Sequence, residues 1–182
     1  MPDIVARWQD WDGNGLEHLV LQDRGNGFTA ESSVIGEADG ERFAVLYTVV
    51  CDRDWRTALF EVNVVGSGRS VLFTGDGAGN WQDGARRLPE LNGAIDVDIT
   101  ATPFTNTLPI RRLGLAVGEA TEIDVVWADP DEAVVQRDPQ RYTRLGERTW
   151  RFDSLDSDFT AELEVDEDDL VLDYPGLFRR IR

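Results

Sequence analysis

The stretch DFTAELEVDEDDLVLDY (158–174) alternates apolar and polar residues almost without a break. Phe159, Ala161, Leu163 and Val165 interleave with Thr160, Glu162, Glu164 and Asp166. A period of two sends successive side chains to opposite faces of a β-strand, so this run reads as a strand with one dry and one wet side. Glu167-Asp168 is a link of hairpin length, which makes the following run at 169–174 an antiparallel neighbour. Working outward, the same pattern recurs at 16–22, 27–36, 41–51, 55–66, 69–74, 94–100, 121–128, 133–137, 140–145 and 148–153, broken by Gly, Asp, Asn and Pro. No segment holds a helical period for ten or more residues. The chain therefore reads as one all-β domain over residues 1–182. Some runs are apolar on both faces, as in Phe43–Val45–Tyr47–Val49 with its neighbours, which suits a strongly curled sheet. The expected architecture is a mostly antiparallel open or incomplete barrel of about 12–15 strands, with one or two short helical turns.

Composition narrows the class. The chain is 41% hydrophobic and 29% charged, with a net charge of −17, so it is globular rather than disordered. All 18 basic residues are arginine. Nucleic acid is an unexpected partner, because phosphate contacts need a basic patch and only Arg179, Arg180 and Arg182 cluster. No apolar run approaches the ~20 residues of a membrane helix, and the N-terminal residues lack the pattern of a secretory signal. A single cysteine, Cys51, closes an apolar strand run and reads as a buried structural thiol, and a cytoplasmic location is the expectation. An acidic, lysine-free surface suits a salt-rich cytoplasm, the alternative source being a base-biased genome.

Several local patterns suggest chemistry and fall short of it. DWDGNG (10–15) places Asp10, Asp12 and Asn14 as in a calcium loop, but the twelfth position is Leu21, and the stretch reads as a turn. His18, the only histidine, lies in a strand run beside Leu16 and Val20 and reads as structural. With one His and one Cys there is no usual zinc set, and no G-x-S-x-G elbow is present. GDGAGNWQDG (75–84) lacks a phosphate-loop lysine and reads as a loop carrying Trp81, either displayed or folded onto the core. No metal and no cofactor are expected.

DVDITATPFTNTLPIRRLGL (96–115) is unlike the rest. As a strand it turns Asp96 and Asp98 to one face and Ile95, Val97 and Ile99 to the other. Thr102-Pro103 forces an extended bend. Asn106 or Thr107 can then start a short helix that carries Pro109, Ile110 and Leu113. Arg111 and Arg112 follow closely enough to pair with the carboxylates, and at least one such contact is expected. This stretch resembles the signature of the family called Putative glycolipid-binding. VLYTVVCDRDWRTALFEV, GNWQDGARRLPELNGAIDVDI, QRYTRL and DLVLDYPGLFRRI resemble its other segments, in order along nearly the whole chain. The resemblance implies an open barrel similar in shape to bacterial lipoprotein carriers, with a glycolipid or other amphipathic small molecule as partner, and it carries no catalytic residues over.

On the motif itself, Asp96, Asp98, Thr105, Asn106, Arg111 and Arg112 are the polar candidates for ligand contact, with Trp55, Trp81 and Tyr142 as stacking surfaces. Three readings stay open. The chain is a non-catalytic carrier with an apolar lumen, or a small enzyme on a lipid-like or sugar substrate with Asp96 or Asp98 as general base, or a fold in which 96–112 is a structural plug without ligand. Oligomeric state is left open.

The charge balance makes one prediction. Screening should relieve self-repulsion, so the melting temperature is expected to rise between 0.1 and 3 M potassium chloride. A flat or falling curve would show that the acidic surface is not tuned to salt.

Overall fold

The computed structural model describes residues 3–38 and 40–181. Its strands are β1 (Ile4–Asp10), β2 (Leu16–Asp23), β3 (Gly27–Ala38), β4 (Glu41–Asp52), β5 (Thr57–Val64), β6 (Ser70–Gly75), β7 (Trp81–Asp83) and β8 (Arg86–Arg87). After a 3-10 turn at Pro89–Leu91 come β9 (Asp96–Ile99), a second 3-10 turn at Phe104–Asn106 and the helix α1 (Thr107–Leu113). The chain ends with β10 (Ala120–Asp129), β11 (Val134–Arg144), β12 (Thr149–Ser154), β13 (Thr160–Val165), β14 (Val171–Tyr174) and β15 (Phe178–Ile181). All fifteen form one sheet in the order β8-β7-β6-β5-β4-β3-β2-β1-β15-β14-β13-β12-β11-β10-β9. The two terminal strands of that order, β8 and β9, are not hydrogen-bonded to each other, so the sheet stays open and no closed barrel forms. It curls nonetheless: β5 and β9 lie far apart along the sheet and are in contact in space.

Antiparallel pairing follows from the short links, as expected. The exception among the described residues is β9 with β10, which run parallel in the register Asp96↔Val125 to Ile99↔Ala128. Parallel neighbours need a long crossover, and residues 100–119, which contain α1, supply it. Gly114, at φ 57° and ψ 33°, ends the helix in the left-handed conformation that favours glycine. Asn106 holds the capping position but makes no side-chain cap bond; its amide is used elsewhere.

Three differences from the sequence reading have physical causes. β1 and β15 are short runs at the two ends of the chain, and they pair with each other (Arg7↔Ile181 to Asp10↔Phe178), a long-range contact that no local period announces. The runs 133–137 and 140–145 are one strand, β11, passing through Pro139. There the proline carbonyl accepts Leu155 N at 3.0 Å beyond the end of β12, so only one ladder bond at a strand end is lost. Trp55 is not in a strand but in the β4–β5 turn at φ 62°. A bulky residue adopts that left-handed conformation at a cost; its ring stacks on Phe28 at 4.2 Å and meets the Arg111 guanidinium at 4.6 Å.

The concave face holds the core. Trp8, Leu19, Phe60, Trp81, Leu91, Ile99, Phe104 and Leu108 are at most 2% exposed and belong to one apolar cluster. Cys51 is part of it, and burial pushes its thiol up to about 12, as a structural thiol requires. In β2 the buried face is the one opposite His18. Leu19 and Leu21 point in, while Leu16 is 41% exposed and His18 lies outside, accepting a hydrogen bond from Arg7 Nε at 3.1 Å. The same alternation carries Glu17 inward. Registers then align a row across five strands of the concave face: Val45, Val34, Glu17, Trp8 and Arg180.

Candidate functional site

The polar motif is inside. Residues 102–110 are buried without interruption, four of them polar: Thr102, Thr105, Asn106 and Thr107. Nine buried residues in a non-strand segment are tolerable only if their polar groups find partners, and they do. Arg112 grips Asp96 with two nitrogens, Nε at 2.9 and 3.0 Å from the two carboxylate oxygens and Nη2 at 2.6 Å from Oδ2. Asp96 is fully buried and the Arg112 side chain is 15% exposed. Burial pushes the Asp96 carboxyl up, and the guanidinium pulls it back; a bidentate arginine, which donates only, requires the carboxylate form. Asp98 accepts Thr105 Oγ1 at 3.1 Å and Gln140 Nε2 at 2.8 Å, both neutral donors, so burial raises its carboxyl. Asn106 accepts the Tyr142 hydroxyl at 2.9 Å and donates to Pro103 O at 3.2 Å. Arg111 donates to the Asp168 carbonyl through Nε at 3.1 Å and Nη2 at 2.5 Å, lies 3.4 Å from Asp169 Oδ2, and covers Trp55.

The expected arginine–carboxylate contact is therefore present, and it belongs to Asp96. All six polar candidates are engaged in ties from the crossover to the sheet and its loops, which is the arrangement of a plug. The aromatic candidates are packed as well. Trp81 is 2% exposed, folded onto the core, and donates Nε1–H to Ala94 O at 2.7 Å; Tyr142 is 1% exposed. Trp81 borders a polar space of about 340 Å³ with Asp76, Asn80 and Arg87, and none of the nine lines a second, more apolar cavity.

That cavity, about 410 Å³, opens on the other side of the plug, within the range of small-molecule sites. Its wall is apolar: Trp8, Val34, Phe43, Val45, Val64 and Phe178. Trp11, Leu16, Ile35 and Leu177, each at least 40% exposed, form an apolar lip. Carboxylates come from three places: Asp10, Asp12 and Glu17 on the β1–β2 hairpin, Glu37 on β3, and Asp129, Asp131 and Glu132 at the β10–β11 turn. A second apolar groove of about 330 Å³, lined by Val62, Val71, Ala128, Val134 and Val135, runs between β5–β6 and β10–β11. Val64, Asp129 and Pro130 line both, so the two spaces adjoin there.

Glu17 is the residue that links plug and cavity. Its Oε1 accepts hydroxyls from Ser32 (2.7 Å), Tyr47 (2.6 Å) and the plug's Thr102 (3.0 Å). Burial pushes its carboxyl up to about 7, against the pull of those hydroxyls and of Arg180. Sequence reasoning passed over Glu17 and Trp8, and read Asp10 only as part of the 10–15 turn. A signal existed: in LEHLVLQ, period two puts Glu17 on the face of Leu19 and Leu21, a carboxylate among apolar residues. The reading stopped at the histidine next to it and assigned neither face to the core.

Two outcomes follow. Asp96→Ala leaves a buried arginine uncompensated and is expected to cost ~3–5 kcal/mol, whereas Asp98→Asn removes no ion pair and should cost about 1 kcal/mol. Equal losses in denaturant melts would contradict the assignment of Asp96 and Arg112 as the clamp. Because Glu17 titrates higher folded than unfolded, its stabilising contribution is present at acid pH and lost as pH rises from 4.5 to about 7. Glu17→Gln should therefore gain on the wild type by about 3 kcal/mol across that window; parallel stability curves would show that Glu17 is solvated.

Comparison with known proteins agrees with this architecture. The family model described as Putative glycolipid-binding matches residues 5–180. The crystal structure of a DUF1089 family protein from Pseudomonas aeruginosa is similar over 92% of each chain, at 37% identity and a TM-score of 0.82. No curated protein matches. With nearly every residue inside the matched span, the chain belongs to the Putative glycolipid-binding family.

Proposed function

We propose that the chain is a non-catalytic binding protein for one amphipathic small molecule of the glycolipid type, held in the acid-rimmed cavity with its tail along the adjoining groove. The junction of the two spaces at Val64, Asp129 and Pro130 carries this reading. One compartment offers tryptophan faces and carboxylate acceptors, which suit sugar rings and hydroxyls. The other offers valine and alanine walls, which suit an alkyl chain. The combined volume favours one head group and one chain over a two-tailed lipid. The description of the family points the same way. Asp96 and Asp98 are spent on the plug and line neither space, so the enzymatic reading that assigned them base catalysis has no support in the geometry.

Alkyl glucosides of increasing chain length, titrated against intrinsic tryptophan fluorescence, test this. Trp8 and Trp11 line the cavity and should report binding. Affinity is expected to rise up to about fourfold per methylene while the chain fits, from ~0.8 kcal/mol per buried CH₂. Val64→Phe, which narrows the junction, should flatten that dependence without moving the melting temperature by more than a few degrees. Absence of binding by any chain length at millimolar concentration would defeat the proposal.

A further inference from the structure

Glu17 is 3% exposed and lines the cavity between Trp8 and Val34. One of its oxygens is saturated with three hydroxyls; the other, Oε2, is buried and has no hydrogen-bond partner among the described residues. Asp10 Oδ1, in the same cavity wall, is in the same condition. Buried acceptors are normally paired, so two bare carboxylate oxygens beside one cavity call for a donor.

The rest of the wall selects the donor. Seven carboxylates line the cavity and none of its described lining residues is basic. The arginines around it lie outside its lining, although Arg180 attracts Glu17 across the Trp8 ring and keeps a buried Nη1 without a hydrogen-bond partner among the described residues. Arg180 lies over the Trp8 ring at 4.8 Å and 3.5 Å from Asp166; Arg179 covers Trp11 at 4.1 Å; Arg42 stands 3.7 Å from Glu37; Arg69 donates to the Asp131 carbonyl. An anionic head group would meet repulsion from every side. A neutral sugar would find acceptors for its hydroxyls. A cation gains these and charge pairing as well, with tryptophan faces that favour it further.

We infer that the head group held in this cavity is a protonated amine, donating to Glu17 Oε2 and Asp10 Oδ1, on an amphiphile whose chain leaves past Val64. This names the ligand class for the site proposed above and rests on that reading. The groups facing Glu17 are the Ser32, Tyr47 and Thr102 hydroxyls, the Trp8 ring, Arg180 across it and Asp10 on β1. With the Glu17 carboxyl pushed up to about 7 by burial, the amine binds the ionised form and displaces a proton. Alkylamines stay protonated up to about pH 10, so the pH dependence below 7 belongs to the protein.

The test compares decylamine, decyl glucoside and decyl sulfate by tryptophan fluorescence between pH 5 and 8. At pH 8 the amine is expected to bind at least tenfold tighter than the glucoside, and the sulfate weakest. The amine's affinity should fall about tenfold per pH unit below 7, while the glucoside's stays level. Glu17→Gln should abolish that slope and cost the amine tenfold or more; Asp10→Asn, on the neighbouring strand, should weaken it with the slope retained. If Glu17→Gln does not fold, the wild-type slope decides. A glucoside that binds as tightly as the amine, with neither showing a pH slope, overturns the amine and leaves the binding proposal standing. Absence of binding by all three overturns both.

Discussion

The rest of the structure depends on one buried ion pair. Asp96, on the last strand of the sheet, and Arg112, at the end of α1, meet through three short contacts in a place where neither charge is tolerable alone. The pair ties the end of α1, inside the crossover between β9 and β10, back to the start of β9. With α1 fixed in this way, residues 102–110 lie buried within the curl of the sheet, and each polar side chain among them reaches a partner on another element. Thr102 reaches Glu17 on β2, Thr107 donates to Asp169 O before β14, and Asn106 receives Tyr142 from β11.

An open sheet gains its curvature from this arrangement. Its terminal strands are not paired with each other, so the curl cannot be held by a closed ladder of hydrogen bonds. It is held from inside, by a plug whose polar ties reach both halves of the sheet. The plug fills one end of the concave face, and the space that remains on the far side is the cavity and its groove. What made the motif look like a binding site, its density of carboxylates, hydroxyls and arginines, is what a segment without strand partners needs in order to be buried.

Glu17 stands between the two roles. Three hydroxyls hold it from the side of the plug and of the neighbouring strands; its second oxygen belongs to the cavity wall. A carboxyl kept near neutrality by burial is costly to a fold, and such groups concentrate at sites of function. The position of this one, hydrogen-bonded to the plug and lining the cavity, ties the stability of the fold to the titration of a group in the cavity wall.

The sequence by itself determined the all-β class, the antiparallel links, the short helix after Thr102-Pro103 and the membership of Asp96 and Arg112 in one motif, because alternation, turn residues and helix starts act over a few neighbours. It also carried enough likeness to assign the family. Only the tertiary structure decided that β1 pairs with β15, that Asp96 rather than Asp98 holds the arginine, and that the motif is filled by its own contacts while the cavity forms elsewhere. Those outcomes depend on pairings between residues far apart in the chain. In LEHLVLQ the local pattern divides Glu17 from His18 but does not say which face is inside; the curl of the whole sheet makes that choice.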